Sequence, residues 1–172
     1  VCSSDLFNSN GKLVRVEVAL NIDRFVRLQG ERIAQMELVK TIIGNIPQAT
    51  FWKDKNGVFL GCNQQFALDA NYSSPEEIIG KTDYELPWDK EKSDRFREMD
   101  RRIMETGIPC LNYEDTVRFS GGEKHLLISK VPLRDTEGNI IGVLGTYIDI
   151  TDIKKAQDIL THNEQLLNEL MQ

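Results

Sequence analysis

Histidine and cysteine are scarce in this chain, with two and three examples among 172 residues. Cys2, Cys62 and Cys110 form an odd set without paired spacing, so neither a disulfide framework nor a zinc site is indicated. A reducing, cytoplasmic setting is the default for such cysteine usage. No run approaches the roughly 18 apolar residues that a membrane span needs. No membrane contact is therefore expected in this segment. There is no basic block either. The net charge is −6, which argues against a nucleic-acid partner. G-x-S-x-G, H-E-x-x-H and a phosphate-cradling glycine loop are all missing. His162, in T-H-N-E-Q, lacks the following acid and proline turn of a phosphoacceptor and reads as solvated helix face. Asp83 and Glu85 are close carboxylates with nothing to orient them as an acid–base pair. Gly121-Gly122-Glu123 is explained by turn chemistry. No catalytic residue is assigned, and a phosphoacceptor, if the parent protein has one, lies outside this chain.

What is present is a packed core. The chain is 40% hydrophobic and 28% charged, enough for one domain with flanking elements. The rest is organised around Gly138 to Thr151, G-N-I-I-G-V-L-G-T-Y-I-D-I-T. Ile141, Val143 and Tyr147 share one face at period 2; Ile140, Leu144, Ile148 and Ile150 share the other. Two apolar faces predict a central strand covered on both sides. Gly142 and Gly145 predict a bulge or the close approach of another backbone. Asp149 and Thr151 stand where they can cap an outgoing helix.

The chain lacks a starting Met and reads as cut from something longer; V-C-S-S-D-L looks like a sequencing or expression scar. Leu13 to Ile22 alternates as a strand, and with L-F-N-S-N-G-K before it resembles the hairpin ahead of residue 151. Two readings stay open there: the tail of a preceding domain copy, or an ordinary N-terminal strand. Residues 24–45 read as a linker helix, stopped by Asn45-Ile46-Pro47. A-T-F-W-K-D, K-N-G, V-F-L-G-C then reads as a hairpin turned at Asn56-Gly57. Asn63 caps a short helix that buries Phe66. Ser74-Pro75-Glu76-Glu77 starts another, ended by Gly80. Lys90 to Thr106 is a long helix with Phe96, Met99, Ile103 and Met104 in one stripe, and with Glu91–Arg95 and Glu98–Arg102 as surface pairs. Three strands follow: Cys110 to Phe119, Lys124 to Leu133, and the organising strand. Two leading and three trailing strands predict an α+β domain, a five-stranded antiparallel sheet with helices over one face.

Residues 152–172 read as a helix with Ile153, Leu160 and Leu167 seven residues apart and Ala156, Asn163 and Leu170 as companions. That is the seam of a coiled coil, and it predicts a homodimer.

Three blocks in this order resemble the PAS sensor domain: F-W-K-D-K-N-G-V-F-L-G-C-N-Q-Q-F at 51–66, E-E-I-I-G-K-T-D-Y at 76–84, and V-P-L-R-D-T-E-G-N-I-I-G-V-L-G-T-Y-I-D-I-T at 131–151. The resemblance implies a PAS domain over residues 46–151, flanked by linker helices. It also implies a sensory and dimerising module of a bacterial signalling protein. Such a module passes the state of a ligand or partner to a downstream effector in the same parent chain. A histidine kinase of a two-component system is the first expectation for that effector. A cyclic-dinucleotide cyclase, a chemoreceptor, or a ligand-free spacer are the alternatives. A small-molecule ligand would sit between sheet and helices. The residues expected around it are Phe51, Phe59, Phe66, Tyr84, Trp88, Phe96, Met99, Leu111, Tyr113, Ile128 and Tyr147. Asp149 and Thr151 would couple sheet to exit helix. The cofactor is left unnamed. Haem is disfavoured because the long helix carries no histidine. A photoactive flavin is disfavoured because Cys62 precedes the capping Asn63 and reads as a small buried strand-end residue. His125, on a strand, is not assigned as a metal ligand.

Overall fold

A computed structural model describes the backbone of residues 14–119 and 121–171, and side-chain surroundings from residue 22 onward. The chain divides at Asn45/Ile46 into two units. The first is helix α1, Val14–Asn45. The strand expected over Leu13 to Ile22 is thus corrected: from Val14 it is helical. A lone strand has no ladder partner for its backbone, whereas a helix satisfies its own hydrogen bonds internally. L-F-N-S-N-G-K, the other half of the expected hairpin, lies outside the described residues. From Ile22 to Ile42 the apolar side chains of α1, Phe25, Val26, Ile33 and Met36 among them, are exposed.

The second unit holds β1 (Ala49–Asp54), β2 (Phe59–Cys62), α2 (Gln64–Asp69), α3 (Lys90–Thr106), β3 (Cys110–Phe119), β4 (Gly122–Arg134), β5 (Ile140–Asp149) and α4 (Thr151–Leu170). The strands form one antiparallel sheet in the order β2-β1-β5-β4-β3. The organising strand, β5, is its centre. Local chemistry sets most boundaries. Gly57 takes the left-handed turn (φ 77°) between β1 and β2, with Asp54 Oδ1 accepting from the amides of Asn56 and Val58. Asn63 caps α2 through the Phe66 amide. Asp89 caps α3, and Gly107 ends it. The second helix expected after Ser74 shortens to a 3-10 turn, Pro75–Glu77, held by a capping box between Ser74 and Glu77. On α3, Glu98 pairs with Arg101, not with Arg102.

Helices cover one face of β5. Val143 and Tyr147 are buried there, while Leu144 and Ile148 on the other face are only half-buried. Cover on both sides is therefore corrected to cover on one. The glycines mark close approach: a Cβ on Gly142 would lie 1.9 Å from the Lys53 carbonyl oxygen, and one on Gly145 would lie 2.3 Å from the Phe51 ring. Leu68 faces out; Phe66 and Ala70 face the core.

Candidate functional site

The core between sheet and helices is aromatic. Phe51, Phe59 and Phe66 meet at centroid separations of 4.8 to 5.7 Å, and Trp88 stands edge-on to Phe96 and Phe119. Between these rings is a void of about 30 Å³. Such a space has room for about one or two water-sized groups. Seven of the eleven residues expected around a ligand line it: Phe51, Phe59, Phe66, Trp88, Phe96, Ile128 and Tyr147. The other four do not. Tyr84 is half-exposed and donates to Asp94 at 2.7 Å. Leu111 is exposed. Met99 lies one helical face away, in an outer groove beside Ile103 and Pro109. Tyr113 packs against the same core, but its hydroxyl is buried without a partner and does not reach the void. Burial raises that phenol's pKa far above its ordinary value.

Val117, Phe119 and Leu126 complete the apolar wall, and Lys53, Asp83 and Lys130 are its charged members. Sequence reasoning missed these charges. They belong to a tetrad tying four parts of the fold together. Lys53 on β1 donates to both oxygens of Asp83 at 2.7 Å and to Asp100 Oδ2 at 2.9 Å. Lys130 on β4 donates to Asp100 Oδ1, on α3, at 2.6 Å. All four side chains are at most 2% exposed. Burial alone would raise the Asp100 carboxyl, but the ammoniums of Lys130 and Lys53 outweigh it and hold it below its ordinary value. Burial pushes the Lys130 ammonium down, and the Asp100 charge only partly offsets this. Both lysines lie over rings: Lys53 Nζ is 4.7 Å from the Phe59 centroid, and Lys130 Nζ is 5.0 Å from that of Phe96. The signal that could have located the tetrad was lysine at inward-facing strand positions, since Lys53 and Lys130 fall in phase with Phe51 and Ile128.

A second network leads away from the void. The Tyr147 hydroxyl donates to Asp69 Oδ2 at 3.0 Å. Lys124 Nζ donates to Asp69 Oδ1 at 3.0 Å and lies 3.5 Å from Asp149 Oδ2. Asp149 Oδ1 accepts from both the amide and the hydroxyl of Thr151, and the Thr151 oxygen accepts from the His125 amide at 2.9 Å. Asp149 and Thr151 are thus brought together as expected, with one correction: Thr151 is the first helical residue and Ile150 holds the cap position. His125 is engaged on its ring side by the Thr116 hydroxyl at 3.1 Å. Among the described residues no cluster of three or more His, Cys, Asp or Glu could hold a metal ion. Cys62 ends β2, buried, with its thiol pushed up to about 12 by burial and, secondarily, by Glu76. On α4, Ile153, Leu160, Leu167 and Leu170 are exposed, as are Ala156 and Asn163. Among the described residues no helix is long and apolar enough to cross a membrane.

A five-stranded antiparallel sheet, a helical cover over one face and a small interior site between them define an α+β sensor-type domain. Residues 43–155 match the family described as PAS fold, and the chain belongs to that family. It is 25% identical over 154 residues to a Vibrio cholerae diguanylate cyclase, covering 86% of this chain and 45% of the relative. It is 28% identical over 130 residues to the methanogenesis regulatory histidine kinase FilI of Methanothrix harundinacea, covering 75% of this chain and 14% of that one. Among solved structures, VqmA of Vibrio cholerae in a complex with ligand and DNA matches at 30% identity and a TM-score of 0.61. That match covers 70% of this chain and 52% of VqmA. The chain therefore spans about half, or less, of the length of these relatives. It is a PAS domain of the kind that signalling proteins carry.

Proposed function

We propose that this segment is a sensory PAS module that reads a small molecule in its aromatic interior and passes the state of that site to α4. The observation that carries the reading is the unbroken path Tyr147–Asp69–Lys124–Asp149–Thr151, whose first member lines the void and whose last opens the helix. A ligand that moves Tyr147 changes the partners of Asp69 and, through Lys124, the hold on the first turn of α4. The exposed 153-to-170 seam pairs with the same seam of a second copy, Asn163 fixing the register. A two-state shift in that pairing reaches the effector. A histidine kinase is the effector class we favour, and the module works in the cytoplasm. The likeness to a diguanylate cyclase supports the same exit helix serving a cyclase instead. We propose no nucleic-acid contact for this segment, on its net charge of −6.

The void of about 30 Å³ favours a second reading, a ligand-free dimerising spacer. Native mass spectrometry of the chain purified from a bacterial host separates the two. A dimer with a reproducible extra mass supports the sensor; an unliganded dimer supports the spacer; a monomer contradicts pairing through α4 alone. In the full parent protein, Asp149→Ala with Thr151→Ala is expected to uncouple effector output from the sensor. Output that is unchanged by the double substitution rejects the coupling route.

A further inference from the structure

Imidazole is the side chain whose charge ordinarily changes between about pH 5 and 8. The chain has two, His125 and His162. His162 is exposed along α4. His125, by contrast, is built into the start of that helix. Its amide donates to the Thr151 hydroxyl at 2.9 Å, and its carbonyl accepts from the Ile150 amide at 2.8 Å. Its ring is half-buried, with Nδ1 3.1 Å from the hydroxyl of Thr116, its partner across the β3–β4 ladder. Val117 and Phe119 point into the core, so Glu114, Thr116 and His125 share the opposite face of the sheet.

The charges around that ring are already spent. Lys92 on α3 holds Asp115 at 2.8 Å, and Lys154 in the first turn of α4 holds Glu114 at 2.7 Å. Arg95 adds a third cation to the groove that His125 lines. The flanking acids are engaged as well: Asp149 by Lys124, Glu123 by Arg118, and Asp152 by Lys155. A protonated ring at this place has to take a share of one carboxylate. Asp115 is held too well. It is in phase with Val117, 12% exposed, and accepts from the Thr116 amide at 2.8 Å in addition to Lys92. Glu114 is the diagonal cross-strand neighbour of His125, a position about 7–8 Å away that a long side chain spans. It is 55% exposed and paired with Lys154. We propose that His125 makes the start of α4 acid-sensitive: its imidazolium draws the Glu114 carboxylate away from Lys154 and loosens the first turn of the exit helix. The Thr116 hydroxyl does not oppose the change, since it donates to a neutral Nδ1 and accepts from a protonated one. This rests on the reading of α4 as the output helix and makes the proton a second input to it.

The test follows amide exchange at residues 150–156 of the intact chain at pH 7.5 and pH 5.5, as protection factors corrected for intrinsic exchange, beside NMR titration of the His125 ring. Protection there is expected to fall at least twofold at pH 5.5, with the same midpoint as the His125 ring signal. His125→Gln is expected to abolish the pH response. His162→Gln is expected to keep it. Glu114→Gln is expected to give the lower protection at both pH values. Unchanged protection in the unmodified chain, a midpoint that differs from that of the His125 ring, or a response that survives His125→Gln overturns the proposal. Asp149→Ala with Thr151→Ala, measured at pH 7.5 alone, separates the two readings. If that pair lowers protection while pH does not, the coupling route stands and the role of His125 falls.

Discussion

The Tyr147 hydroxyl, on the central strand, donates to Asp69 Oδ2 at the end of α2 across 3.0 Å and 78 positions of sequence. Tyr147 is 7% exposed, so its phenol has few alternatives to that carboxylate. Burial first, and then the Asp69 charge, raise its pKa well above the ordinary tyrosine value. Asp69 also holds Lys124, so it stands at a junction between the interior and the start of α4.

Asp69→Ala leaves the Tyr147 hydroxyl buried and unpaired. The expected cost is about 1–3 kcal/mol of stability. Tyr147→Phe removes both the hydroxyl and its need, and should cost less. Urea denaturation of the two variants checks the order; a larger loss for Tyr147→Phe would contradict it.

The tetrad predicts a second order. Asp100→Ala strips Lys130 of its only carboxylate and leaves Lys53 with Asp83 alone. Breaking a buried pair in this way costs about 3–5 kcal/mol. Asp83→Ala leaves every lysine with a partner and should cost less. Asp100→Leu combined with Lys130→Met replaces charge by apolar volume and should recover most of the loss. Thermal unfolding of the four proteins tests the set, and a double variant weaker than Asp100→Ala would contradict it.

Acid should act through the same residue. The Asp100 carboxyl is held below its ordinary value of 3.8, so the folded state binds its proton less readily than the unfolded chain. Its contribution is therefore complete above about pH 4 and is lost as pH falls through the lowered value. Asp149 is lowered in the same direction, burial being outweighed by Thr151 and Lys124, but it is partly exposed and adds less. Stability measured from pH 6 down to pH 3 should fall below about pH 4, and Asp100→Asn should flatten that slope. An unchanged slope in the variant would assign acid sensitivity elsewhere.

Cys62 should be chemically inert. Its thiol stays protonated well beyond neutrality, since burial pushes it up to about 12. Cys110 is half-exposed. Iodoacetamide at pH 8 followed by peptide mapping should label Cys110 long before Cys62. Fast labelling of Cys62 in the folded chain would show that β2 opens.

The five strands and the central place of the last were legible because period-2 apolar runs and Asn56-Gly57 are local signals, whereas the full strand order was not foreseen. The aromatic lining was legible where residues lay on inward strand positions, as Phe51, Ile128 and Tyr147 do. It failed at Tyr84, Leu111, Met99 and Tyr113, whose direction depends on a loop, on strand irregularity near Asn112, or on helix rotation. The tetrad was not legible because charge reads as surface. Asp83, taken for an unoriented loop carboxylate, is buried only because Lys53 meets it from 30 positions away. The path to α4 was half legible. Asp149 and Thr151 stand together in sequence, but Asp69 and Lys124 join them only once the Asp69 carboxylate, at the end of α2, reaches Lys124 on β4 and Tyr147 on β5. Helix α1 was misread over its first turns because alternating valines report a strand only when a neighbouring strand exists to pair with it.

Amide hydrogen exchange at residues 150–156, compared between the unmodified chain and Tyr147→Phe, tests the central claim most directly. The substitution lies on the strand, outside α4. If Tyr147 holds the helix start through Asp69, Lys124 and Asp149, exchange there should quicken several-fold while β1 and β4 keep their protection. Equal exchange at residues 150–156 in both proteins would contradict the account.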